Sequence, residues 1–395
     1  MKPLHIAAFV PGYRAMTGGP KRTLSLLAGL SAHGHTISAI VPSVESEFYR
    51  AAQSAGIRTH AMPVDPILTA GGFEVARAKN LHLVIPALVR ANTRLSSLLR
   101  HLRPDVLWIR GSKPYPMSAG AAWKTRTPLH WDIDYEPESR GVVRAIHTLG
   151  LRHASCISFQ HRGAPVEIFG EALYLRYRHK MITVLPGLDV WPKLRARHRV
   201  GRSGPLRVAQ VATITPRKNQ RFSLALLRMA SEASEGHGLE LSLIGDVHDS
   251  HYHAELRAFV AESGLAKQVR FLGWQQDVPR FLALHADVLL QPSLDEGIPN
   301  AVQEAMAVGL PVIASDRGGH PDLLDNSQRG WALPLSDTRA WVNVLTQLSQ
   351  SPSLREAVGE RARRFAREHF DHGVWINTYS RVLAGDCREA GAQAR

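Results

Sequence analysis

Residues 4–42 read LHIAAFVPGYRAMTGGPKRTLSLLAGLSAHGHTISAIVP and contain two short apolar runs separated by a loop and a helical pattern. The runs, residues 4–10 and 36–41, stop at prolines and predict strands. A helix ending at Gly34 is predicted between them by apolar residues at helical spacing, namely Leu24, Leu27, Ala28 and Leu30. A strand, a helix and a strand form a βαβ unit. We therefore expect an α/β fold with a doubly wound parallel sheet that binds ligands at the carboxyl ends of its strands.

The same alternation continues along the rest of the chain. In the first half, further strands are predicted at residues 106–109, 129–133, 155–159 and 182–185. A second series follows, with strands at 206–211, 239–244, 269–272, 288–291 and 311–314. Helices of this series are predicted at 220–233, 254–263, 278–285, 299–308 and from about 321. Because 395 residues exceed the size of a typical single core, we predict two Rossmann-like domains in tandem.

Composition and charge narrow the class of protein. Hydrophobic residues at 44% and charged residues at 21% are typical of a folded globular chain. Residues 1–200 hold 27 Lys and Arg against 12 Asp and Glu, whereas residues 201–395 hold 21 against 22. The basic first half favours an anionic partner, such as lipid headgroups, a phosphorylated acceptor or nucleic acid. A generally basic proteome is the alternative explanation.

The cysteines and the apolar segments indicate a compartment. Cys156 and Cys387 lie far apart in sequence and near no other metal-ligand cluster. We interpret them as free thiols in a reducing compartment and expect neither a disulfide nor a structural zinc site. The apolar run 4–10 is too short for a secretory signal, and no segment reaches the roughly 18 to 20 apolar residues of a membrane-spanning helix. A soluble cytoplasmic protein is expected.

Residues 75–102 show a long basic amphipathic pattern. Its polar side carries Arg90, Arg94 and Arg100, which makes it a candidate for peripheral binding to an anionic membrane at its inner face. An ordinary helix packed on the sheet explains the pattern equally well.

The segment PSLDEGIPNAVQEAMAVGLPVI, residues 292–313, carries the most specific chemistry. It follows the predicted strand 288–291, and Pro299 suits the first turn of a helix that Gly309 and Pro311 end. Glu296 in the loop and Glu304 in the helix can face one crevice. The free amides and positive dipole end at the start of this helix favour a phosphate group.

This segment resembles the E-x7-E signature of the retaining GT-B glycosyltransferases of family 4, the glycosyl transferases group 1, with Glu296 and Glu304 at the two acidic positions. Other segments follow in the order of the family: Thr17-Gly18-Gly19-Pro20, Gly34-His35, residues 185–189, Leu243-Ile244-Gly245 and Phe271-Leu272-Gly273. The resemblance is strong over residues 206–335 and loose over 45–180. It implies a GT-B fold in which two Rossmann-like domains face a central cleft.

The resemblance and the composition divide the chain into four parts. Residues 1–190 would form an acceptor domain, and the Arg-, Gly- and Pro-rich residues 191–205 a linker. Residues 206–370 would bind the nucleotide sugar, and 371–395 would hold a helix that crosses back to the first domain, with a tail.

The implied activity is transfer of a sugar from a nucleotide-sugar donor to a glycan or lipid-linked acceptor with retention of configuration. The family implies a metal-independent hexosyltransferase of surface polysaccharide or glycoconjugate synthesis, with the nucleotide sugar as substrate and no cofactor. No nucleic-acid partner is expected, and no residue stands out as a covalent nucleophile.

The resemblance also assigns roles to individual residues. Glu304 would accept hydrogen bonds from the ribose hydroxyls, Glu296 would contact the donor sugar near the reacting carbon, and Lys218 would neutralise the leaving diphosphate. A cation is needed because negative charge builds on the phosphate as the bond breaks. His130 is similar to a family histidine near the donor sugar. Further donor contacts are implied for Gly18, Gly19, Arg217, Gly245, Leu272, Gly273, Gly297, Ile298, Pro299 and Asn300.

One departure from the family bears on activity. The family usually has a Gly-Arg pair five residues before the phosphate lysine, where this chain has Ala212 and Thr213. Arg217, beside Lys218, is a candidate to supply the missing charge. A site with one cation, or a weak or inactive homologue, is the alternative.

Three other interpretations stay open at the level of sequence. Asp132 and Asp134 resemble the metal-binding aspartates of a different glycosyltransferase fold, but the tandem βα pattern favours the metal-independent fold. A nucleotide-sugar epimerase of similar architecture would consume donor without an acceptor. A nucleic-acid-binding protein could use the basic first half, although no recognition helix or aromatic platform accompanies the charge.

Overall fold

The computed structural model describes residues 2–13, 16, 18–69, 80–134, 141–188, 191–196, 204–233, 238–325 and 327–387. Two units are distinguished by their internal contacts. The first unit comprises Met1–Gly187 and Gly373–Arg395, and the second comprises Leu188–His372.

The first unit is built on a parallel sheet of seven described strands. The strands are β1 (His5–Phe9), β2 (Thr36–Val41), β3 (Arg58–Ala61), β4 (Val106–Arg110), β5 (Leu129–Ile133), β6 (Cys156–Phe159) and β7 (Met181–Thr183). Their order in the sheet is β3-β2-β1-β4-β5-β6-β7, so the direction of winding reverses between β1 and β4. A reversal of this kind opens a crevice at the carboxyl ends of the strands.

Helices of the first unit cover both faces of this sheet. They are α1 (Gly18–Ala32), α2 (Glu47–Ser54), α3 (Pro66–Thr69), α4 (Leu81–Leu102), α5 (Pro114–Thr125), α6 (Gly141–His153), α7 (Ala164–Phe169) and α8 (Glu171–Tyr177). Strand side chains alternate between two apolar clusters, one around the buried Trp131 and the other around the buried Trp108. Near-continuous apolar strands are expected of a parallel sheet that is covered on both faces.

The second unit repeats this architecture with six described strands. They are β8 (Leu206–Val211), β9 (Leu239–Ile244), β10 (Val269–Gly273), β11 (Val288–Gln291), β12 (Val312–Ser315) and β13 (Trp331–Leu333), in the order β10-β9-β8-β11-β12-β13. The helices are α9 (Gln220–Ala233), α10 (Ser250–Glu262), α11 (Val278–His285), α12 (Asn300–Val308), α13 (His320–Leu324), α14 (Thr338–Gln350) and α15 (Pro352–His369). Winding reverses here between β8 and β11, so the second crevice lies between these strands.

Two strands were missed by the sequence analysis, and both lie at sheet edges. β3 has only exposed or half-buried side chains, and β13 spans three half-buried residues. Short edge strands of this kind lack the apolar run by which a buried strand is recognised. The helix expected from about residue 321 is only the five-residue α13.

The first part of the predicted linker, residues 191–196, is bonded to the second unit. The Ala196 amide donates to the Val308 carbonyl at 2.7 Å, and Arg195 pairs with Glu360 at 2.5 Å. Residues 191–196 therefore belong to the second unit, while 197–203 lie outside the described residues.

The last helix, α16 (His372–Leu383), packs into the first unit. Its buried Trp375, Ile376 and Tyr379 join the apolar cluster around Trp108. The Tyr379 hydroxyl donates to Asp132 at 2.8 Å, which ties the helix to β5. The chain thus returns to the first unit after completing the second.

The two cysteines are paired, which corrects the interpretation as free thiols. Cys156 on β6 and Cys387, just after α16, form a disulfide with 6.4 Å between their Cα atoms. A separation of 231 positions hides this pairing in the sequence, because only the return of α16 brings the sulfurs together. None of the described helices has the length and apolar character needed to cross a membrane.

Candidate active site

Three loops meet at the carboxyl ends of neighbouring strands in the second sheet. They follow β8, β11 and β12, at the point where the winding of this sheet reverses. The Leu294 amide donates to the Arg217 carbonyl at 2.9 Å, and the Asn219 side chain donates to the Pro292 carbonyl at 3.1 Å. The Gly319 amide donates to the Gly297 carbonyl at 3.0 Å. These bonds join the loops into one framework.

The framework brings Lys218 and Glu296 into direct contact. Lys218 ends a single 3₁₀ turn after β8, and its ammonium forms a hydrogen-bonded ion pair with the Glu296 carboxylate. The side chains are only 13% and 8% exposed. Gln291, the last residue of β11, donates to Glu296 Oε1 at 3.5 Å and to Ser293 Oγ at 3.2 Å. The pair is therefore held in a fixed place.

Burial and charge act against each other in this pair. Burial by itself would raise the pKa of the Glu296 carboxyl, but the Lys218 ammonium outweighs it and holds this pKa below its usual value. Burial lowers the pKa of Lys218, because an ammonium loses its water shell there. A ligand phosphate arriving at Lys218 would therefore meet a cation already poorly solvated.

The start of α12 lies next to this pair. Pro299 is the N-cap residue and α12 begins at Asn300, one residue later than the sequence analysis placed the first turn. Gly297, Ile298 and Pro299 are buried and Asn300 is exposed, so only part of this turn faces solvent. Glu304 lies half-buried one turn further along α12. Gly309 ends the helix in the left-handed conformation with φ of 85°, as its sequence position indicated.

Arg217 does not project as an independent cation. Its guanidinium donates to the Asp295 carbonyl at 3.2 Å and so braces the loop that carries Glu296. Thr213, at the position of the missing family arginine, is half-buried and its carbonyl accepts from Gln220 at 2.9 Å. In this arrangement Lys218 is the cation in contact with Glu296, and Arg217 supports the loop.

Gly245, Leu272 and Gly273 lie at the same edge of the sheet. The Gly245 amide donates to the Gly273 carbonyl at 2.8 Å, which links the ends of β9 and β10. Gly245 has φ of 141°, and a Cβ there would lie 2.1 Å from the Ala212 carbonyl oxygen. A side chain at Gly245 would therefore clash with the protein backbone, whatever ligand is bound.

Sequence reasoning missed the loop after β12. Gly318 has φ of 56°, and a Cβ there would lie 1.7 Å from the Glu296 carbonyl oxygen. At Gly319 a Cβ would meet the Ile298 side chain at 2.2 Å. His320 is fully buried, and its Nδ1 donates to the Ser315 carbonyl at 2.9 Å. The adjacent glycines after a predicted strand were the available signal for this close approach.

Asp295, next to Glu296 in the sequence, has a raised pKa. Partial burial and the neighbouring Glu296 carboxylate raise the pKa of Asp295 to about 6. The site therefore carries a carboxyl group that gains a proton in mildly acidic solution.

The remaining predicted residues lie in the first unit. Gly18 and Gly19 are exposed at the start of α1, and a Cβ at Gly19 would meet nothing within 4 Å. Glycine is thus not required there by the protein itself, and the open space is available to a ligand. Thr17 of the same motif and Asp189 of the boundary motif lie outside the described residues.

His130 lies inside β5, close to its amino end, and is 1% exposed. One ring nitrogen, Nε2, is hydrogen-bonded to Ser158 Oγ at 2.9 Å. Burial lowers the pKa of His130 to about 4, so the imidazole is neutral at physiological pH. The structure places His130 in the interior of the sheet, and its catalytic role stays a prediction.

Asp132 is engaged in a buried network. Its carboxylate pairs with Arg110 at 2.7 Å and also accepts from Ser158 and Tyr379. Arg110 in turn donates to Thr23 Oγ1 at 2.8 Å. Within the described part of the chain, no group of three or more His, Cys, Asp or Glu side chains could hold a metal ion.

Two family models match the chain. One, described as "Glycosyl transferase 4-like domain", matches residues 17–164, and the other, "Glycosyl transferases group 1", matches residues 195–365. Each match falls within one structural unit, and together they span most of the chain.

Curated relatives match over part of their length. An amylovoran biosynthesis glycosyltransferase of Erwinia amylovora is 32% identical over 187 residues, 45% of this chain and 44% of that protein. A putative colanic acid biosynthesis glycosyltransferase of Escherichia coli is 31% identical over 179 residues, 43% of each chain. The matched segments thus span less than half the length of these relatives.

Solved structures match over nearly the full chain. HepE from Anabaena, in complex with UDP and glucose, has a TM-score of 0.74 at 16% identity and covers 96% of this chain and 99% of that chain. A glycosyltransferase from Rickettsia africae has a TM-score of 0.78 at 13% identity, covering 98% and 100%. At these identities the similarity establishes the fold.

Proposed function

The chain belongs to the glycosyl transferases group 1 family and has a GT-B fold of two Rossmann-like units, and from this premise we propose that it transfers a sugar from a nucleotide-sugar donor to a glycan or lipid-linked acceptor. The observation that carries the proposal is the buried Lys218–Glu296 ion pair beside the start of α12. A helix start offers free amides and a positive dipole end, which suit a phosphate group.

The proposed reaction uses the pair as follows. The bond between the anomeric carbon of the sugar and the diphosphate oxygen breaks, and a hydroxyl oxygen of the acceptor forms the new bond to that carbon. The diphosphate leaves with added negative charge, and the proton of the acceptor hydroxyl passes to it or to water. Lys218 stabilises that charge, while Glu296 orients Lys218 and contacts the sugar. Glu304, one turn into α12, binds the ribose hydroxyls. The backbone amides from Gly297 to Asn300 hold the sugar and phosphate.

The donor is proposed to be a nucleoside diphosphate hexose. The HepE structures are described as complexes with UDP, with UDP and glucose, and with UDP-glucose, which makes UDP-glucose the first donor to test. Metal independence is proposed because the buried ammonium of Lys218 can supply the counter-charge that a leaving diphosphate needs. Retention of configuration is proposed from membership of the family and not from the residues themselves.

The acceptor is proposed to belong to surface polysaccharide synthesis. Relatives are described as glycosyltransferases of amylovoran, colanic acid and lipopolysaccharide core biosynthesis. We place the acceptor on the first unit, at the carboxyl ends of its strands.

Peripheral membrane binding on the cytoplasmic side is also proposed, with α4 as the contact. Its first turns expose Leu81, Leu83, Ile85 and Val89, which are 41% to 60% exposed. Arg90 pairs with Asp65 and Arg94 donates to the Pro63 carbonyl, so these cations brace a loop rather than line a bare face. The helix α4 leads into β4 and runs in the direction opposite to the parallel strands. Its exposed start therefore lies toward the carboxyl ends of the strands, where a lipid-linked acceptor would arrive.

The test is a radiolabelled transfer assay with wild type, Lys218→Ala and the exposed control Lys267→Ala. Lys218→Ala should lower turnover by a factor on the order of 100, as for loss of a charge contact made in the transition state. Lys267→Ala should match wild type. Equal turnover of all three proteins would refute the role of Lys218. Conversion of the donor sugar without any acceptor would favour the epimerase alternative.

A further inference from the structure

A groove in the first unit lies away from the carboxyl ends of the strands. It has a volume of about 710 Å³ and is lined in part by Trp123, Lys124, Arg126, Thr127, His153 and Ser155. These residues come from the last turn of α5, the last turn of α6 and the segments that lead into β5 and β6. The groove therefore opens at the amino ends of β5 and β6, roughly 15 Å along the strands from their carboxyl ends.

Trp123 is the most exposed large hydrophobic side chain at this groove. It is 77% exposed, whereas most tryptophans of folded proteins are well covered. Single exposed apolar side chains are common on protein surfaces, so the exposure of Trp123 matters here because the residue lines a groove. An indole left open beside a groove of ligand size offers a flat apolar face to whatever enters.

Two cations line the same groove as Trp123. Lys124 and Arg126 are exposed, and among the described residues neither side chain has a hydrogen-bond or ion-pair partner. The carboxyl ends of α5 and α6 attract cations by their dipoles, which accounts for some positive charge here. Arg126 is the C-cap residue of α5, so the same dipole favours its positive charge.

The rest of the lining is mixed: Ala119, Ala122, Pro128 and Leu129 are apolar, and Thr127, His153 and Ser155 are polar. His153 Nδ1 is hydrogen-bonded to the Tyr115 hydroxyl at 3.1 Å, which fixes the ring at the edge of the groove. Thr127 and Ser155 add hydroxyl groups. One flat apolar face, several hydrogen-bonding groups and two open cations form a set that matches a sugar ring with an acidic substituent. The C–H face of a sugar packs on an indole, and its hydroxyls and carboxylate need polar and cationic partners.

We propose that this groove is a second carbohydrate-binding site. It binds an anionic oligosaccharide at a part of the glycan remote from the end that reacts. The choice of a glycan as ligand rests on the proposed function, since an enzyme that extends a polysaccharide would meet an oligosaccharide, and the two cations favour an anionic one. The groove is concave and partly polar, whereas membrane contact needs a protruding apolar surface of the kind that α4 presents.

The test is binding of the full chain to alginate, a polymer of uronic acids, and to neutral dextran, by affinity electrophoresis and calorimetry. Wild type should bind alginate and not dextran. Trp123→Ala should weaken alginate binding by about tenfold or more, the loss expected for a dominant aromatic contact. Trp274→Ala, which removes a 56% exposed tryptophan from the second unit, should bind like wild type. The double variant Lys124→Ala, Arg126→Ala should also bind weakly.

Several results would overturn the proposal. They are no binding of wild type to alginate, equal binding by Trp123→Ala, and an equal loss in Trp274→Ala. Loss of binding to phosphatidylglycerol vesicles in Trp123→Ala, without alginate binding by wild type, would assign the groove to lipid instead. The site is independent of catalysis, so Lys218→Ala should keep alginate binding. If transfer activity is absent but Trp123-dependent alginate binding is present, the proposed function fails and the glycan site stands.

Discussion

At the scale of single residues, the proposed activity depends on a cation and a carboxylate, Lys218 and Glu296, that lie 78 positions apart in the sequence and in contact in the fold. Removing Lys218 would leave the buried Glu296 carboxylate without its partner, which costs more than the net value of the pair. Turnover should therefore be compared with thermal stability in every Lys218 variant, so that loss of the transition-state contact is separated from loss of folding.

Asp295 gives a prediction with a defined sign. Its pKa is raised to about 6 in the folded protein, so above that pH the folded state carries a carboxylate that burial and Glu296 disfavour. Asp295→Asn should therefore raise the melting temperature by a few degrees at pH 7.5. The gain should shrink as the pH falls through about 6 toward the unfolded value, because Asp295 is then protonated in wild type as well.

The exposed Glu262→Gln variant controls for the loss of one negative charge. Scanning calorimetry at pH 7.5, 6 and 4.5 measures the difference between each variant and wild type. A gain for Asp295→Asn that does not change with pH would contradict this assignment.

Sequence reasoning singled out Glu296 because glycines and prolines frame its motif, and Lys218 because it follows the predicted strand 206–211 and matches the family's lysine. It missed His320 and the close approach of Gly318 to the Glu296 carbonyl, because the adjacent glycines signal a close approach but not which loop they approach. His130 shows the converse limit: a residue type shared with a family does not reveal whether the side chain faces a cleft or the interior of a sheet.

At the scale of elements, α16 is held to the first unit by apolar packing and by the disulfide between Cys156 and Cys387. A cross-link over so long a loop stabilises mainly by restricting the unfolded chain. Cys387→Ser should lower the free energy of unfolding by about 2–4 kcal/mol in non-reducing buffer. The difference from wild type should vanish in dithiothreitol, where both proteins lack the bond.

Denaturant titration measures these energies, and a thiol assay on the denatured chain is the direct check. Wild type purified without reductant should show no free thiol. Two reactive thiols per chain would contradict the pairing. In a reducing cytoplasm the bond would open, and α16 would then depend on its apolar contacts alone.

The helix α4 gives the second prediction at this scale. Replacing both Leu83 and Ile85 by Glu should release the protein from vesicles that contain phosphatidylglycerol, because these exposed side chains are the proposed lipid contacts. Leu175→Glu, at a 54% exposed position on α8, is the matched control and should leave vesicle binding unchanged. Co-sedimentation measures both. Failure of wild type to bind, or equal loss in the control, would contradict membrane contact through α4.

The sequence pattern predicted α4 as a basic amphipathic element over residues 75–102, and the described helix begins at Leu81. The residues 75–79 lie outside the described part. The pattern could not separate arginines that brace a loop from arginines that face solvent. Arg90 pairs with Asp65, and Arg94 donates to the Pro63 carbonyl, so both arginines brace a loop. The positions of Asp65 and Pro63 depend on the fold and cannot be read from the pattern.

At the scale of the whole molecule, the tandem α/β architecture was predicted because buried parallel strands are apolar runs that glycine and proline delimit. Three features were harder to predict from the sequence: the edge strands β3 and β13 and the return of α16 to the first unit. They depend on contacts between distant segments. The uneven charge is partly explained by the first sheet, where α4, α5 and α6 end in basic residues at the amino ends of the strands.

The central claim is that the second unit binds a nucleotide sugar at the start of α12. Calorimetric titration of UDP-glucose, and of the other common nucleotide sugars, into wild type and Glu304→Ala tests it directly. We predict that one donor binds wild type and that the variant binds the same donor at least about tenfold more weakly, as for a lost hydrogen bond to a charged group. Equal affinity of the two proteins for that donor, or no binding by wild type to any nucleotide sugar, would contradict the account.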